Sequence, residues 1–451
     1  MGKYFGTDGF RGEANVGLDA RHAYDIGRFI GWYYGAKAGK KANILIGKDT
    51  RLSSYMFEYA ICAGIVASGA DAFVMHVTTT PSVAYITRMD DFDCGVMISA
   101  SHNAFCDNGI KLINSRGEKL DDETTAKIER YLDGMAQAGA DEVPYARGEN
   151  IGKVVDYVSG RNRYVGYLIS LASHSYRGLQ IGLDCANGSS WTIAKAVFDA
   201  IGAKTHVIGA SPDGTNINSD CGSTHIENLK KFVISNKLDV GFAYDGDADR
   251  CIAVDENGSE VDGDGILYIF ADRMARHSTL DKNCVVTTVM SNIGLFRALD
   301  AAGISYEKTD VGDRFVYECM SKNGYKLGGE QSGHIILQKY ATTGDGVLTS
   351  IMICEEMLDK KQPLSALASP VKKYPQTTAS VHVKDKDGAV RDGDVANEIE
   401  KIKKSLGDDG RILLRKSGTE QVVRVMVECK DEKLCGEYAA HVADIIRKKG
   451  Y

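Results

Sequence analysis

A chain of 451 residues is longer than one hydrophobic core usually serves and implies roughly two to four domains. Hydrophobic residues make up 43% and charged residues 25%, the balance of a soluble globular protein. A net charge of −7 argues against nucleic acid or an anionic membrane as the main partner, while a local basic cluster can still bind a small anion.

In chain order, the spacing predicts an amphipathic helix over Ala23–Tyr34, a buried strand at Ala42–Ile46, a helix over Phe57–Ala67, and strands at Ala72–His76 and Gly95–Ile98. The apolar run Tyr59–Ala70 is too short to span a bilayer and is expected to be a buried core helix. A polar, Gly-containing stretch from Ala136 to Asn150 interrupts the pattern, which resumes with a helix around Tyr157–Ser170. Strands at Leu179–Leu183, Thr205–Ile208 and Val240–Tyr244 then alternate with helices at Thr192–Ala200 and Asn228–Ser235. Beyond the turn Glu256-Asn-Gly258 come a strand at Cys284–Thr288, a helix near Leu295–Ala302 and a long helix over Gly346–Leu358. Such alternation predicts an α/β fold with helices covering a largely parallel sheet.

Val371–Thr377 reads as a linker. The tail beyond it changes character, with strands at Ser380–Val383, Arg411–Leu414 and Val422–Glu428 and helices at Asp394–Ser405 and Glu432–Lys448, a smaller α+β module. Eleven cysteines are scattered from Cys62 to Cys435 without a CxxC pair, which suits reduced thiols better than a disulfide framework or a zinc site. No basic cluster marks Cys106 as a nucleophile. The N-terminal segment has no signal-peptide core, and Gly6 stands where a myristoylation motif needs Ser or Thr. A cytoplasmic protein is expected.

Five stretches carry candidate chemistry. Asp245-Gly-Asp-Ala-Asp249-Arg250 follows an apolar strand, and three carboxylates this close repel one another unless a cation neutralises them. Hard oxygen ligands suit magnesium or calcium. An EF-hand is excluded, because Arg250 replaces its required Gly and Cys251–Val254 reads as a strand; the remaining alternative is a solvated acidic turn. Ser101 and His102 lie in Ile98-Ser-Ala-Ser-His-Asn103, which lacks the glycines of a hydrolase nucleophile elbow. On its own Ser101 reads as a turn serine. Beside a metal and cations it becomes a plausible phosphate carrier, since phosphoserine brings roughly −1.5 to −2 charges and three acceptor oxygens.

The loop holding Ser101 is expected to end at Asn108-Gly-Ile-Lys111, and Arg11 lies between glycines in Gly6-Thr-Asp-Gly-Phe-Arg-Gly12, where a guanidinium could clamp phosphate oxygens. Arg415-Lys-Ser-Gly-Thr-Glu420, followed by Arg424, reads as an anion cradle between two strands. No Walker A sequence supports nucleotide binding. Gly328-Gly-Glu-Gln-Ser-Gly-His334 joins two apolar strands and offers Glu330 and Ser332 to sugar hydroxyls, with His334 able to titrate near neutrality.

Together these stretches resemble the α-D-phosphohexomutase superfamily: Tyr4-Phe-Gly-Thr-Asp-Gly-Phe-Arg-Gly12, Ile98–Asn103, Asp245–Arg250, Gly329–His334 and Arg415–Glu420. Gly47-Lys-Asp-Thr-Arg51, Cys221-Gly-Ser-Thr-His225 and Val311-Gly-Asp-Arg314 support it, and all occur in family order across nearly the whole chain. The resemblance implies three similar α/β domains plus a smaller α+β C-terminal domain around a central cleft. Their expected bounds are 1–150 with the phosphoserine loop, 151–256 with the metal loop, 257–370 with the sugar loop and 371–451 with the phosphate loop.

The resemblance also implies roles. Ser101 is the phosphoserine and, through its phosphate, a ligand of one Mg2+ held by Asp245, Asp247 and Asp249. Arg11, Lys111, His334 and His102 complete the catalytic set, with Lys111 and His334 both candidates for general acid or base. Glu330 and Ser332 grip the sugar, and Arg415, Ser417, Gly418, Thr419 and Arg424 the non-reacting phosphate. Gln331, Cys221–His225 and Thr288-Val-Met-Ser-Asn-Ile-Gly294 favour the glucosamine-type branch. The implied reaction interconverts glucosamine 6-phosphate and glucosamine 1-phosphate through a bisphosphorylated sugar, for UDP-N-acetylglucosamine synthesis, with glucose 1,6-bisphosphate or a similar compound as activator. Mutase action on mannose or glucose phosphates is the nearest alternative, and a metal-dependent sugar phosphatase a more distant one. The partner is a small hexosamine phosphate, with no nucleic acid and no membrane; a homodimer is one assembly open to it. Ala104 and Gln421 replace the family's usual Pro, Ala248 its Gly and Phe10 its Ile, which leaves the catalytic groups in place and loosens two loops.

Overall fold

Apolar runs bounded by turn residues become strands, and several helices begin at an Asp or Thr whose side chain accepts from an amide of the first turn. The structure, a computed structural model, describes residues 2–134, 143–417 and 421–451. It forms two compact units, one of residues 1–289 with 304–369, the other of residues 290–303 with 370–451.

The first unit opens with β1 (Phe5–Gly6), β2 (Gly9–Glu13), α1 (Ala20–Tyr34), β3 (Asn43–Lys48), α2 (Leu52–Ala67), β4 (Asp71–Val77), α3 (Thr80–Met89), β5 (Cys94–Ile98), β6 (Asp107–Asn114), α4 (Asp122–Leu132) and β7 (Val154–Asp156). These seven strands form one sheet in the order β1-β2-β6-β5-β3-β4-β7. β5, β3, β4 and β7 run parallel, whereas β6 pairs antiparallel with β5 and with β2. The sheet is therefore mixed and not largely parallel. β6 also corrects the expected loop, since Lys111 lies inside a strand. Asp107-Asn-Gly109 looks like turn chemistry, yet pairing on both edges supplies the backbone partners that make it a strand. The sheet takes β7 from beyond residue 150. Part of the polar stretch Ala136–Asn150 lies outside the described residues.

Helix α1 begins at a capping box, in which Asp19 accepts from the His22 amide, and it buries Ile26, Phe29 and Ile30. Helix α2 was expected to be a buried core helix, but only one side is covered. Phe57, Ile61 and Ile65 are buried while Leu52, Tyr55 and Tyr59 are exposed. Its apolar residues run all round the helix, so the sequence hides which face is packed.

The second region supplies α5 (Val158–Ser170), β8 (Gln180–Asp184), α6 (Ile193–Ala200), β9 (Lys204–Ile208), α7 (Glu227–Asn236), β10 (Val240–Tyr244), β11 (Cys251–Asp255) and β12 (Glu260–Val261). Their sheet runs β12-β11-β10-β8-β9, with β10, β8 and β9 parallel. The third region adds α8 (Gly263–Arg276), β13 (Cys284–Thr288), α9 (Ile293–Ala301), β14 (Ser305–Thr309), α10 (Asp313–Asn323), β15 (Leu327–Gly329), β16 (Ile335–Leu337), α11 (Gly346–Lys360) and α12 (Leu364–Ala368). Its sheet runs β14-β13-β15-β16. Helix α9 belongs to the second unit.

The second unit also holds β17 (Gln376–His382), α13 (Lys386–Arg391), α14 (Gly393–Leu406), β18 (Gly410–Lys416), β19 (Val422–Cys429) and α15 (Glu432–Lys449), with an antiparallel sheet in the order β17-β19-β18. The linker expected over Val371–Thr377 is shorter, because Gln376 and Thr377 already pair with Glu428 and Val427. As an edge strand, β17 tolerates the polar residues that make its start look like loop. No helix among the described residues is long and apolar enough to cross a membrane. All eleven cysteines are free, as expected of reduced thiols, and Cys106 is exposed.

Candidate active site

Strand β5 runs into the segment bearing Ser101, whose backbone adopts φ +52°. The turn is held from three sides. Ser99 Oγ accepts from the Ser101 amide at 3.0 Å and donates to Asp49 at 2.7 Å. Arg51, fully buried and ion-paired with Asp49 at 3.0 Å, donates to the Ser101 and Asn103 carbonyls, both at 2.9 Å. Asn218 Nδ2 reaches the same two carbonyls at 2.9 and 3.0 Å. A left-handed serine persists only where its surroundings over-determine it, and here they do.

Asp245, Asp247 and Asp249 lie in the tight connection of the β10–β11 hairpin, whose register pairs Tyr244 with Cys251. Their carboxylates offer oxygen atoms within 4.8 Å of one another, and all three residues are buried. Ser101 Oγ donates to Asp245 Oδ2 at 2.5 Å across 144 residues of sequence. Asp247 Oδ1 and Asp249 Oδ1 are buried without a hydrogen-bond partner. Burial and the neighbouring Asp249 and Asp247 push the Asp245 carboxyl well above its usual range. Orphaned carboxylate oxygens beside a carboxyl that resists ionisation fit a divalent cation with hard oxygen ligands.

Lys111 points from β6 into this cluster, 2.8 Å from Asp247 and 3.2 Å from Asp249, with Asp8 at 3.4 Å. Burial opposes its charge, but Asp247, Asp8 and Asp249 outweigh burial and hold its pKa well above the lysine range, so it is an ammonium. Arg11, on β2, hydrogen-bonds Asp8. Asp8 also meets Lys119 at 2.7 Å, and Lys119 reaches Asp313 at 2.6 Å. His102 Nδ1 lies 3.4 Å from Ser101 Oγ. Burial first, then Arg250 and Arg11, lower its pKa to about 4, so the ring is neutral at pH 7.

The β15–β16 connection brings the sugar-loop residues against the metal loop. Cys251 donates to the Gly333 carbonyl at 3.0 Å, and Arg250 bridges to His334. Glu330 is buried and accepts from the Gly312 amide at 3.0 Å, and burial raises its pKa. His334 is buried, with Nε2 accepting from the Gly344 amide at 3.2 Å and Nδ1 unpartnered. Nε2 also lies 3.4 Å from Asp313 Oδ2. Ser332 is exposed in the same connection. On the Lys111 side of the cluster opens a cleft of about 490 Å³, lined in part by Asp8, Lys111, Lys119 and Arg314, a volume in the range of small-molecule sites; Ser101, the three aspartates, Glu330, Ser332 and His334 do not line it.

Ser101, His102, Lys111, Arg11, the three aspartates, Glu330, Ser332 and His334 thus all lie in the first unit. In the second unit Arg415 on β18 stands opposite Arg424 on β19, and Ser417 is buried just beyond β18. Burial and the adjacent Arg424 charge lower the Arg415 pKa. Gly418 and Thr419 lie outside the described residues. Asp8, Asp49, Thr80, Lys119, Asn218 and Asp313 escaped the sequence reading as site residues. Asp49 and Arg51 left a signal, opposite charges two apart after an apolar strand, whereas Thr80 and Asn218 left none.

Models of the phosphoglucomutase/phosphomannomutase family match in four parts: alpha/beta/alpha domain I at residues 2–138, domain II at 162–258, domain III at 262–374 and the C-terminal domain at 379–445. A phosphoglucosamine mutase of Lachnospira eligens is 61% identical over 452 residues, covering 100% of both chains. The chain belongs to the phosphoglucosamine mutase family. A second phosphoglucosamine mutase, from Lachnoclostridium phytofermentans, is 58% identical over 100% of this chain and 99% of its own. Among solved structures, a phosphoglucomutase/phosphomannomutase family protein of Burkholderia thailandensis matches with a TM-score of 0.80 at 22% identity, covering 100% of this chain and 99% of its own. An N-acetylphosphoglucosamine mutase of Aspergillus fumigatus, solved with GlcNAc-6P and magnesium, matches at 0.70 and 18%, covering 99% and 96%. These likenesses show the fold alone. Membership makes this phosphohexomutase an isomerase, and the expected three α/β domains plus a C-terminal domain are borne out.

Proposed function

We propose that this phosphohexomutase interconverts glucosamine 6-phosphate and glucosamine 1-phosphate, with Ser101 as the phosphoryl carrier. The observation that carries the reading is the Ser101 hydroxyl bonded to Asp245 beside two orphaned carboxylate oxygens and the Lys111 ammonium. Phosphoryl transfer depends mainly on positioning and charge neutralisation, and this cluster supplies both.

In the first half-reaction the phosphoryl group leaves Ser101 Oγ for the free sugar hydroxyl. The P–O bond to serine breaks as the P–O bond to sugar forms, and the proton lost by the sugar hydroxyl is regained by Ser101 Oγ. The bisphosphorylated sugar then returns its other phosphoryl group to Ser101, so no phosphate is released. Lys111, held protonated, neutralises the transferring group and is the general acid/base candidate alongside His334; neutral His102 orients the Ser101 hydroxyl. Arg11 supports the phosphoryl oxygens. Glu330 and Ser332 hold sugar hydroxyls, and Arg415, Ser417, Gly418, Thr419 and Arg424 hold the non-reacting phosphate. Asp245, Asp247 and Asp249, with the Ser101 phosphate, would hold one Mg2+, which supplies positive charge to the phosphoryl oxygens when bound. Glucose 1,6-bisphosphate or a similar compound would load Ser101, in a cytoplasmic enzyme.

Intact mass before and after incubation with glucose 1,6-bisphosphate tests the carrier. The expected result is a gain of one phosphate that Ser101→Ala abolishes. Coupled assays on glucosamine, glucose and mannose 6-phosphates test the substrate; preference for glucose or mannose would overturn the glucosamine assignment, and net phosphate release would favour a phosphatase.

A further inference from the structure

The Asp247 carboxylate is oriented by a residue from a different sheet region. Thr80 is the first residue of α3, follows the N-cap Thr79 and is buried. Its amide, one of the donors that a helix start leaves unsatisfied, donates to the Asp247 carbonyl at 3.0 Å. Its hydroxyl donates to Asp247 Oδ2 at 2.5 Å. Lys111 Nζ donates to the same oxygen at 2.8 Å, leaving Oδ1 without a partner. The helix N-terminus adds a positive dipole end beside the carboxylate.

We infer that Thr80 is a positioning residue for the metal site, fixing the Asp247 carboxylate so that Oδ2 is occupied and Oδ1 is presented to the cation. The backbone bond holds the loop and the hydroxyl holds the rotamer. Without the hydroxyl, Lys111 alone holds Oδ2, and the carboxylate loses one of the two bonds that fix its last torsion. Partners behind a metal ligand commonly change metal affinity by about 10–100-fold when removed. This inference rests on the metal site proposed above.

The test is Mn2+ titration, followed by the electron paramagnetic resonance of the free ion, on the full chain with the Ser101 phosphorylation state fixed by intact mass. Thr80→Val removes the hydroxyl at nearly constant shape. Thr80→Ser and Thr80→Ala differ from each other only in the hydroxyl, so they decide the matter if the valine variant does not fold. The expected result is Mn2+ affinity lowered about 10-fold in T80V and T80A and changed by no more than about 3-fold in T80S. Far-UV circular dichroism and melting of the metal-free proteins should show T80A folded like T80S. Equal Mn2+ affinity in T80A and T80S would overturn the inference while leaving the metal site standing. A wild-type chain that binds no Mn2+ would overturn the metal site and the inference with it.

Discussion

Three non-glycine residues of the candidate active site carry their backbone in the left-handed region, Ser101 at φ +52°, Asn218 at φ +58° and Ala248 at φ +56°. For Ser101, hydrogen bonds from Arg51 and Asn218 to its carbonyl hold the turn. Ala248 stands between two metal-ligand candidates, where the family usually has Gly, and it tolerates the conformation because its Cβ is small. Glycine would relieve the strain at some cost in unfolded-state entropy, whereas a β-branched side chain makes the same φ a genuine outlier. Ala248→Gly should therefore leave the urea midpoint unchanged or raised, while Ala248→Val lowers stability by about 2 kcal/mol or more through strain and overpacking. Arg51 is a stronger case. Replacing it with Met removes the ion partner of buried Asp49 and two of the bonds that hold the Ser101 loop. We expect a loss of about 3–5 kcal/mol in urea denaturation, together with slower Ser101 phosphorylation by glucose 1,6-bisphosphate.

Among the elements, α11 shows how a cap ties a helix to its neighbour. Asp345 accepts from the Leu348 amide at 2.9 Å and from the Tyr164 hydroxyl of α5 at 2.7 Å. Burial nevertheless raises its pKa from 3.8 to about 6. A raised folded pKa means that the folded state binds the proton more tightly than the unfolded chain. This contribution to stability is fully present below about pH 4 and is lost as pH rises through about 6. Asp345→Asn keeps a capping oxygen and cannot titrate, so the difference between wild type and variant in urea midpoint should change across pH 4 to 6 and be flat above it. A constant difference over that window would show that Asp345 does not titrate there. The elements also mark where local pattern stops informing. Helix α8 has no counterpart in the sequence reading; it starts with two poor helix formers, Gly263 and Gly265, and Asp262 caps it by accepting from the Asp264 and Gly265 amides. Strand β6 was missed because its turn-like start becomes regular only when β2 and β5 pair with it.

At the scale of the molecule, the second unit is assembled from two chain segments, since α9 joins residues 370–451. Buried Glu428 accepts from the Ile293 amide at 3.0 Å and pairs with Arg411 at 2.8 Å, and Asn292 meets the Tyr374 backbone at 2.9 Å. A fragment of residues 370–451 therefore loses the Ile293 amide as a partner of a buried carboxylate. It should melt lower and less cooperatively than the same unit in the intact chain, as followed by calorimetry. A fragment as stable as the intact unit would show that α9 contributes little.

The sequence by itself determined the family of this phosphohexomutase. The candidate phosphate carrier, the carboxylate triplet, the candidate sugar loop and the arginine loop each occupy a short contiguous stretch, so their functional groups, their order and hence the family are legible without coordinates. It also determined most α/β elements, because burial imposes periodicity wherever an element has one apolar face. Only the tertiary structure decided which groups meet. Ser101 touches Asp245 across 144 residues, and Thr80 reaches Asp247 across 167. Lys119 joins Asp8 to Asp313 with no motif of its own. Such contacts follow from how separate sheets and loops pack, and local residue spacing carries no record of that packing.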